Sequence, residues 1–264
     1  MRIAVCVKQV PDTEARLRVA RDGKWIEEED LPFVLNESDE YALEEALAIT
    51  EKVGGEVVVF SLGPERVKEG LRKALALGAA RAVHLNDPVL AGGDAVVTGR
   101  ALAAAIARES FDLVLTGSQS DDLGWGGTGS VIAGVLGWPS AWLVMGVTLE
   151  EDGRHARVTR EMESGMNEVF RLALPAVLQV QAGLNHPRYP NLKGIMAAKK
   201  KPIDELGAAD LGLAAAAAGS SGSRLELVSV AFPSSGGGAE MLEGDAETVA
   251  RSLIEKLQRE ARVL

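Results

Sequence analysis

From Ile3 to Leu136 the chain alternates short apolar runs with amphipathic segments, and that rhythm constrains the fold more than any other feature. Residues 3–7 (IAVCV) read as a buried first strand ended by Lys8 and Pro11. A helix with an acidic first turn starts near Asn36 or Ser38 and carries apolar residues at 42, 43, 46, 47 and 49. Strands are predicted at 56–61, 82–85 and 113–116, helices at 66–77, closed by Gly78, and at 94–108, and a further helical run at 131–136. Strand-helix alternation of this kind predicts an α/β fold built on a doubly wound, mainly parallel sheet. Its ligands sit outside the carboxyl ends of the strands, near the switch in strand order.

Beyond Trp138 the pattern changes to runs at 144–149, 155–160, 168–174 and 176–180, which read as extra β strands joined by tight turns such as Glu151-Asp-Gly153. Pro187, Pro190, Gly194 and the basic run Lys199-Lys200-Lys201 follow, and then an alanine- and glycine-rich stretch to Ser223 for which compact packing is not expected. Residues 225–232 read as one more strand, 234–238 as a flexible linker and 245–262 as an amphipathic helix capped by Asp245. The organisation expected is an α/β nucleotide-binding domain over 1–224 and a C-terminal strand, linker and helix over 225–264. Pattern alone leaves open whether that last helix docks on another chain or folds back on its own sheet.

Composition excludes several classes of function. A formal net charge of −10 repels a nucleic-acid backbone. The alanine run 214–218 is far short of the roughly 20 apolar residues that span a bilayer. The single cysteine, Cys6, has no partner for an internal disulfide, and the N-terminus lacks a signal-peptide apolar region, so a cytoplasmic location is expected.

Chemistry concentrates in residues 116–130 (TGSQSDDLGWGGTGS), a glycine-rich loop between a strand and a helical run. Its glycines let backbone N–H groups approach a ligand, and the helix start favours a phosphate near Gly127 to Ser130. Gly124, Gly126 and Gly129 match G-x-G-x-x-G, but the dinucleotide fingerprint belongs after the first strand of a βαβ unit, so an ordinary strand-end loop is the competing reading. Asp121 and Asp122 suit a ribose hydroxyl or a turn cap. Other strand-end loops, at 6–12, 36–39 and 61–64, are expected to converge on one crevice. Cys6 reads as a packed core thiol. The three histidines, His84, His155 and His186, share no metal-ligand spacing and read as surface or turn residues. No catalytic motif is present, and the lysine run 199–201 reads as a solvated face or a local element of partner orientation.

Residues 158–178 (VTREMESGMNEVFRLALPAVL) and 184–201 (LNHPRYPNLKGIMAAKKK) closely resemble the beta subunit of electron transfer flavoproteins. The resemblance covers nearly the whole chain, and the Asn185-His-Pro-Arg-Tyr189 segment with its Ile195-Met-Ala-Ala-Lys-Lys-Lys201 continuation is its most specific part.

The resemblance implies an electron carrier rather than an enzyme: a heterodimer whose alpha subunit holds the redox-active FAD, with an AMP of structural role in the beta subunit. Such a carrier takes electrons from acyl-CoA or other flavin dehydrogenases, as in fatty acid oxidation, and passes them to a quinone oxidoreductase or another acceptor. By the same resemblance the AMP loops map onto Cys6, onto Asn36, Glu37, Ser38 and Asp39, onto Leu62, and onto Gly117, Gln119, Asp121, Asp122, Gly124, Gly126, Gly127 and Thr128. Thr13 matches a position near the alpha subunit's FAD that is often aromatic in relatives. A recognition loop follows Arg188, with Tyr189, Leu192, Ile195 and Met196 facing dehydrogenases and Leu192 as the anchor. Family members that split electron pairs place a second FAD in the beta site and usually read Asp-Gly-Asp-Thr-Ala-Gln there. Residues 121–129 here read DDLGWGGTG, which favours AMP. A stand-alone nucleotide-binding regulator or hydrolase is the alternative from another class.

Overall fold

The computed structural model describes residues 1–233 and 238–264, so the linker expected at 234–238 lies outside the described residues except for Gly238. Eleven strands and seven helices follow in chain order among them: β1 (Arg2–Cys6), β2 (Gln9–Pro11), β3 (Phe33–Leu35), α1 (Glu37–Val53), β4 (Glu56–Leu62), α2 (Val67–Leu77), β5 (Arg81–Leu85), α3 (Ala95–Ile106), β6 (Leu113–Gly117), α4 (Thr128–Leu136), β7 (Ser140–Leu149), β8 (His155–Glu161), β9 (Asn167–Ala173), β10 (Ala176–Val180), α5 (Leu192–Ala198), β11 (Ile203–Leu206), α6 (Gly219–Gly222) and α7 (Ala246–Lys256).

Nine strands form one sheet in the order β11-β5-β4-β1-β6-β10-β7-β8-β9. Pairing is parallel from β11 to β7 and antiparallel from β7 to β9. From β1 the chain builds outward through β4 and β5, then crosses by α3 to β6 on the other side of β1. The β1/β6 pair is therefore the switch point the alternation predicted.

Register explains the two layers. Ile3 pairs with Val57 and Leu113, and Val5 with Val59 and Leu115, so one face of the sheet meets α1 and α2 through Leu43, Leu47, Leu71 and Leu75. The intervening residues Ala4, Val58, Phe60 and Val114 face Leu102, Ile106 and Ile132 of α3 and α4. The middle residues of these central strands, 3–6, 57–60 and 113–115, are apolar at successive positions because both faces are covered.

Several elements depart from the sequence expectation. Strand β11 was not predicted: among the described residues it pairs with β5 alone, so Asp204 and Glu205 are exposed and the apolar run is missing. The β2–β3 hairpin was also missed, and the guanidinium of Arg66 covers its Phe33 ring at 3.8 Å. Helix α4 starts at Thr128, three residues before the apolar run. Residues 225–232 form no strand, and Leu225, Leu227, Val228 and Phe232 are exposed. The alanine-rich stretch packs against expectation, because its small side chains allow close approach: Ala208 and Ala218 are buried, and Ser220 N donates to Ala91 O at 2.8 Å. The Arg224 amide donates to Asp94, the residue whose other oxygen caps α3.

The chain divides into two units, one of residues 1–18 with 27–228 and a smaller one of 19–26 with 229–264. The division falls at 228/229, where 224/225 was expected, and the smaller unit includes 19–26. Within it, Val230 N donates to Gly23 O at 2.8 Å and Asp245 caps α7 through Thr248 N at 2.8 Å. No residue of α7 is buried. Among the described residues no helix is long and apolar enough to cross a membrane.

Lys201 is a structural lysine. Its ammonium donates to Leu75 O at 3.0 Å and Ala79 O at 2.6 Å, where α2 ends with unpaired carbonyls. Lys201→Met keeps the stem and removes the donors, and is expected to lower the free energy of unfolding in urea by about 1–3 kcal/mol.

Candidate functional site

Three segments meet at the carboxyl end of the β1/β6 pair: the residues after β1, the start of α1, and the loop after β6. One buried carboxylate joins them. Asp39, 6% exposed in the first turn of α1, accepts from Lys8 N through Oδ2 and from Gly117 N through Oδ1, both at 2.8 Å. Its acidic position suits a helix N-terminus. Burial pushes its carboxyl up to about 7, although the two backbone donors, Asn36 and the Lys8 ammonium pull the other way.

Around Asp39 the start of α1 is stitched to the loop. Asn36 is 1% exposed, accepts from Asp121 N at 2.8 Å and donates to Gln119 O at 2.9 Å and Ser38 Oγ at 3.0 Å. Ser38 donates to the same Gln119 carbonyl at 2.8 Å, and Glu37 N to Asp121 Oδ2 at 3.3 Å. Asp122 pairs with the Lys8 ammonium at 2.6 Å, which holds its carboxyl low despite burial. Asn36, Glu37, Ser38, Asp39, Gly117, Gln119, Asp121 and Asp122 thus belong to one hydrogen-bonded network. Gly117 is required in it, since a Cβ there would lie 2.2 Å from Ser38 Oγ and 2.4 Å from Asp39 Oδ1.

Downstream, Gly124 and Gly126 both adopt φ near +60°, which turns the loop back toward α4. Helix α4 begins with Gly127 as its cap residue and Thr128 in its first turn, and no side chain among the described residues caps it, which suits its first N–H groups to an anion. Gly129 packs so tightly that a Cβ would lie 2.5 Å from Gln179 Cγ and 2.7 Å from Thr116 Oγ1. Gln179, 1% exposed, donates to Ser130 Oγ at 2.9 Å while its Oε1 is buried without a partner among the described residues. Trp142 donates weakly to Ser118 O at 3.4 Å. Sequence reasoning missed Gln179 and Trp142. They reach this crevice because β10 inserts between β6 and β7, and no local pattern announces that order. The loop prediction at 6–12 contained Lys8 without assigning it a role.

The other expected site residues take no part in this hydrogen-bonded network. Cys6 ends β1 beneath the network, paired with Thr116, and burial raises its thiol pKa well above the reactive range. Leu62 ends β4 and packs on the core of the α3/α4 face. Thr13 is exposed in a turn after β2, in which Glu14 N donates to Asp12 Oδ1 at 2.9 Å. Tyr189, Leu192, Ile195 and Met196 are exposed at 93%, 77%, 42% and 56%.

Of the three histidines, His155 and His186 lie in partly exposed and exposed positions as expected, and His84 departs from the expectation. His84 is fully buried rather than on the surface, with Nε2 at 2.9 Å from Gly63 O. It lies near Glu65 and Glu205, and His155 near Glu150 and Asp152, each trio with ligand atoms within 4.8 Å. A cation of the chain occupies both: Lys68 bridges Glu65 and Glu205 at 2.6 Å each, and Arg171 bridges Glu150 and Asp152 at 2.8 and 3.1 Å.

Two measurements check the network. Gly117→Ala forces Asp39 off the loop, and the unfolding free energy is expected to fall by about 1–3 kcal/mol. The raised Asp39 carboxyl means that the folded state retains a proton the unfolded chain releases above about pH 4. Its contribution is therefore full below that pH and is lost as pH rises through about 7. The stability advantage of the wild type over Asp39→Asn in urea titrations is expected to shrink between about pH 4 and pH 7 and to level off above that.

Comparison with known proteins gives the family. Residues 24–211 match the model of the electron transfer flavoprotein domain. The electron transfer flavoprotein subunit beta of Methylophilus methylotrophus is 40% identical over 257 residues, covering 97% of each chain. The subunit of that name from Thermoanaerobacterium thermosaccharolyticum is 37% identical over 97% of this chain and 98% of its own. Subunit CarD of the caffeyl-CoA reductase-Etf complex of Acetobacterium woodii is 40% identical over 98% of each. The chain belongs to the electron transfer flavoprotein family, alongside its beta subunits.

Proposed function

We propose that this chain is the beta subunit of a heterodimeric electron carrier and that its strand-end crevice holds AMP. The observation that carries the reading is the Asp39 network, which locks α1 to the β1/β6 switch and leaves beside it a glycine-lined crevice, an uncapped helix start and the partnerless Gln179 Oε1. These features fit a phosphorylated, hydrogen-bonding ligand. Backbone groups at Gly126, Gly127 and Thr128 would hold the phosphate, with Asn36 to Asp39 and Gly117 to Asp122 around the remainder and Cys6 and Leu62 as apolar walls. AMP supplies no chemistry there and stiffens the loops.

The redox chemistry belongs to an FAD held mainly by an alpha subunit, which exchanges electrons with its partners. This chain contributes a surface near that flavin, in which Thr13 takes part, and the C-terminal segment 225–264 docks on the alpha chain. Its α7, with Leu253 and Ile254 exposed, supports that reading. Leu192, Ile195 and Met196 form an exposed apolar face at helical spacing, with Tyr189 beside it, which supports docking of flavin dehydrogenases of acyl-CoA type. A quinone oxidoreductase or another acceptor takes the electrons onward, and the carrier operates in the cytoplasm.

A second reading places FAD in the beta site of an electron-bifurcating form, favoured by the 40% identity to a subunit of a caffeyl-CoA reductase complex. Co-expression with an alpha subunit, followed by quantification of the nucleotides released on denaturation, separates the two. One FAD and one AMP per heterodimer is the expected result. Two FAD and no AMP establishes the second reading, and a stable lone chain that hydrolyses ATP overturns both. Leu192→Ala is expected to raise the KM for a reduced acyl-CoA dehydrogenase about tenfold, with kcat within about twofold of wild type.

A further inference from the structure

Residues 181–191 have no helix or strand, yet they deliver α5 and its exposed apolar face. Their placement rests on side chains that reach α1. Asn185 Nδ2 donates to Tyr41 O at 3.0 Å and Glu45 Oε2 at 3.2 Å. Arg188 engages Glu44 through Nε at 2.8 Å and Nη2 at 2.9 Å, a bidentate fork, and its backbone N–H donates to the same carboxylate at 3.1 Å. It also reaches Glu51, about two turns further along α1, through Nη1 at 2.5 Å and Nη2 at 3.1 Å. Both carboxylates raise the Arg188 pKa further. The next residue, Tyr189, is 93% exposed and contributes little to the fold. Helix α5 itself lies against α2: in its first turn a Cβ on Gly194 would lie 2.3 Å from Ala76 O, and at its far end Arg72 donates to Ala198 O at 2.6 Å.

The geometry points to Arg188 as a positioning residue that clamps the 184–191 segment to α1 and so presents the Tyr189, Leu192, Ile195 and Met196 face in its docking orientation. The inference rests on the docking reading of that face. It assigns unequal weight to the two acids. Glu44 is 12% exposed and receives a planar fork, whereas Glu51 is 58% exposed and is screened by water. A lysine at 188 carries the charge but not the fork.

The test uses the co-expressed heterodimer, with a substrate-reduced acyl-CoA dehydrogenase as the electron donor. Arg188→Ala is expected to raise the donor KM about tenfold while kcat stays within about twofold, because the face is mispositioned and no redox group is touched. Arg188→Lys is expected to recover part of that loss, Glu44→Gln to resemble Arg188→Ala, and Glu51→Gln to stay near wild type. Amide hydrogen exchange at residues 189–197 is expected to quicken in Arg188→Ala while residues 113–117 stay as protected as in wild type. If Leu192→Ala leaves KM unchanged, the docking reading falls and the inference with it. If Leu192→Ala impairs docking but Arg188→Ala matches the wild type in KM and exchange, the clamp alone is overturned. A fall in protection of residues 113–117 in Arg188→Ala also overturns it, since the arginine would then be holding the whole fold.

Discussion

The bidentate use of Asp39 is the interaction on which the candidate site depends. One carboxylate at the start of α1 accepts N–H groups from the chain leaving β1 and from the end of β6, the two strands between which the sheet reverses its order. Parallel strands leave such backbone donors at their carboxyl ends, and a helix N-terminus is where an acidic side chain is best tolerated. Desolvation opposes the arrangement, as the raised carboxyl pKa records. Lys8 serves twice, through its amide to Asp39 and through its ammonium to Asp122, so the β1 end and the β6 loop are held by one residue.

Helix α1 has a second set of partners. Its first turn carries Asn36, Ser38 and Asp39 into the crevice, and its later turns carry Glu44, Glu45 and Glu51 to the segment that precedes α5. Its apolar residues, Leu43 and Leu47 among them, pack on the sheet. The acidic content of this helix thus does two kinds of structural work on the surface that the core leaves uncovered. A helix packed along one sheet face keeps both ends in fixed relation to the strands, which is how separate polar networks come to share one element.

Much of the architecture is legible in the amino-acid sequence. Apolar runs at 3–7, 56–61 and 113–116, separated by helical periodicity, correspond to strands covered on both faces. What was misread shares a physical cause. Strand β11 pairs on one side only and exposes its acids, residues 225–232 have strand composition without a strand partner, and the alanine-rich stretch packs through shape rather than hydrophobic pattern. In each case a neighbour decides the outcome, and local composition does not report neighbours.

The same division runs through the candidate site. Sequence by itself determined the strand-end loops, the glycines at 117, 126, 127 and 129, the acidic start of α1, and the family to which the 185–201 segment points. Tertiary structure decided which of those residues work together. Asp39 reaches across 78 positions to Gly117, and Gln179 lies beside Gly129 because β10 enters the sheet between two earlier strands. Lys201, part of a run that reads as a solvated face, is spent on the carbonyls that end α2. Hydrophobic period and glycine placement are local properties of the chain, whereas hydrogen-bond partners across a sheet follow from strand order, which is settled only when the whole core packs.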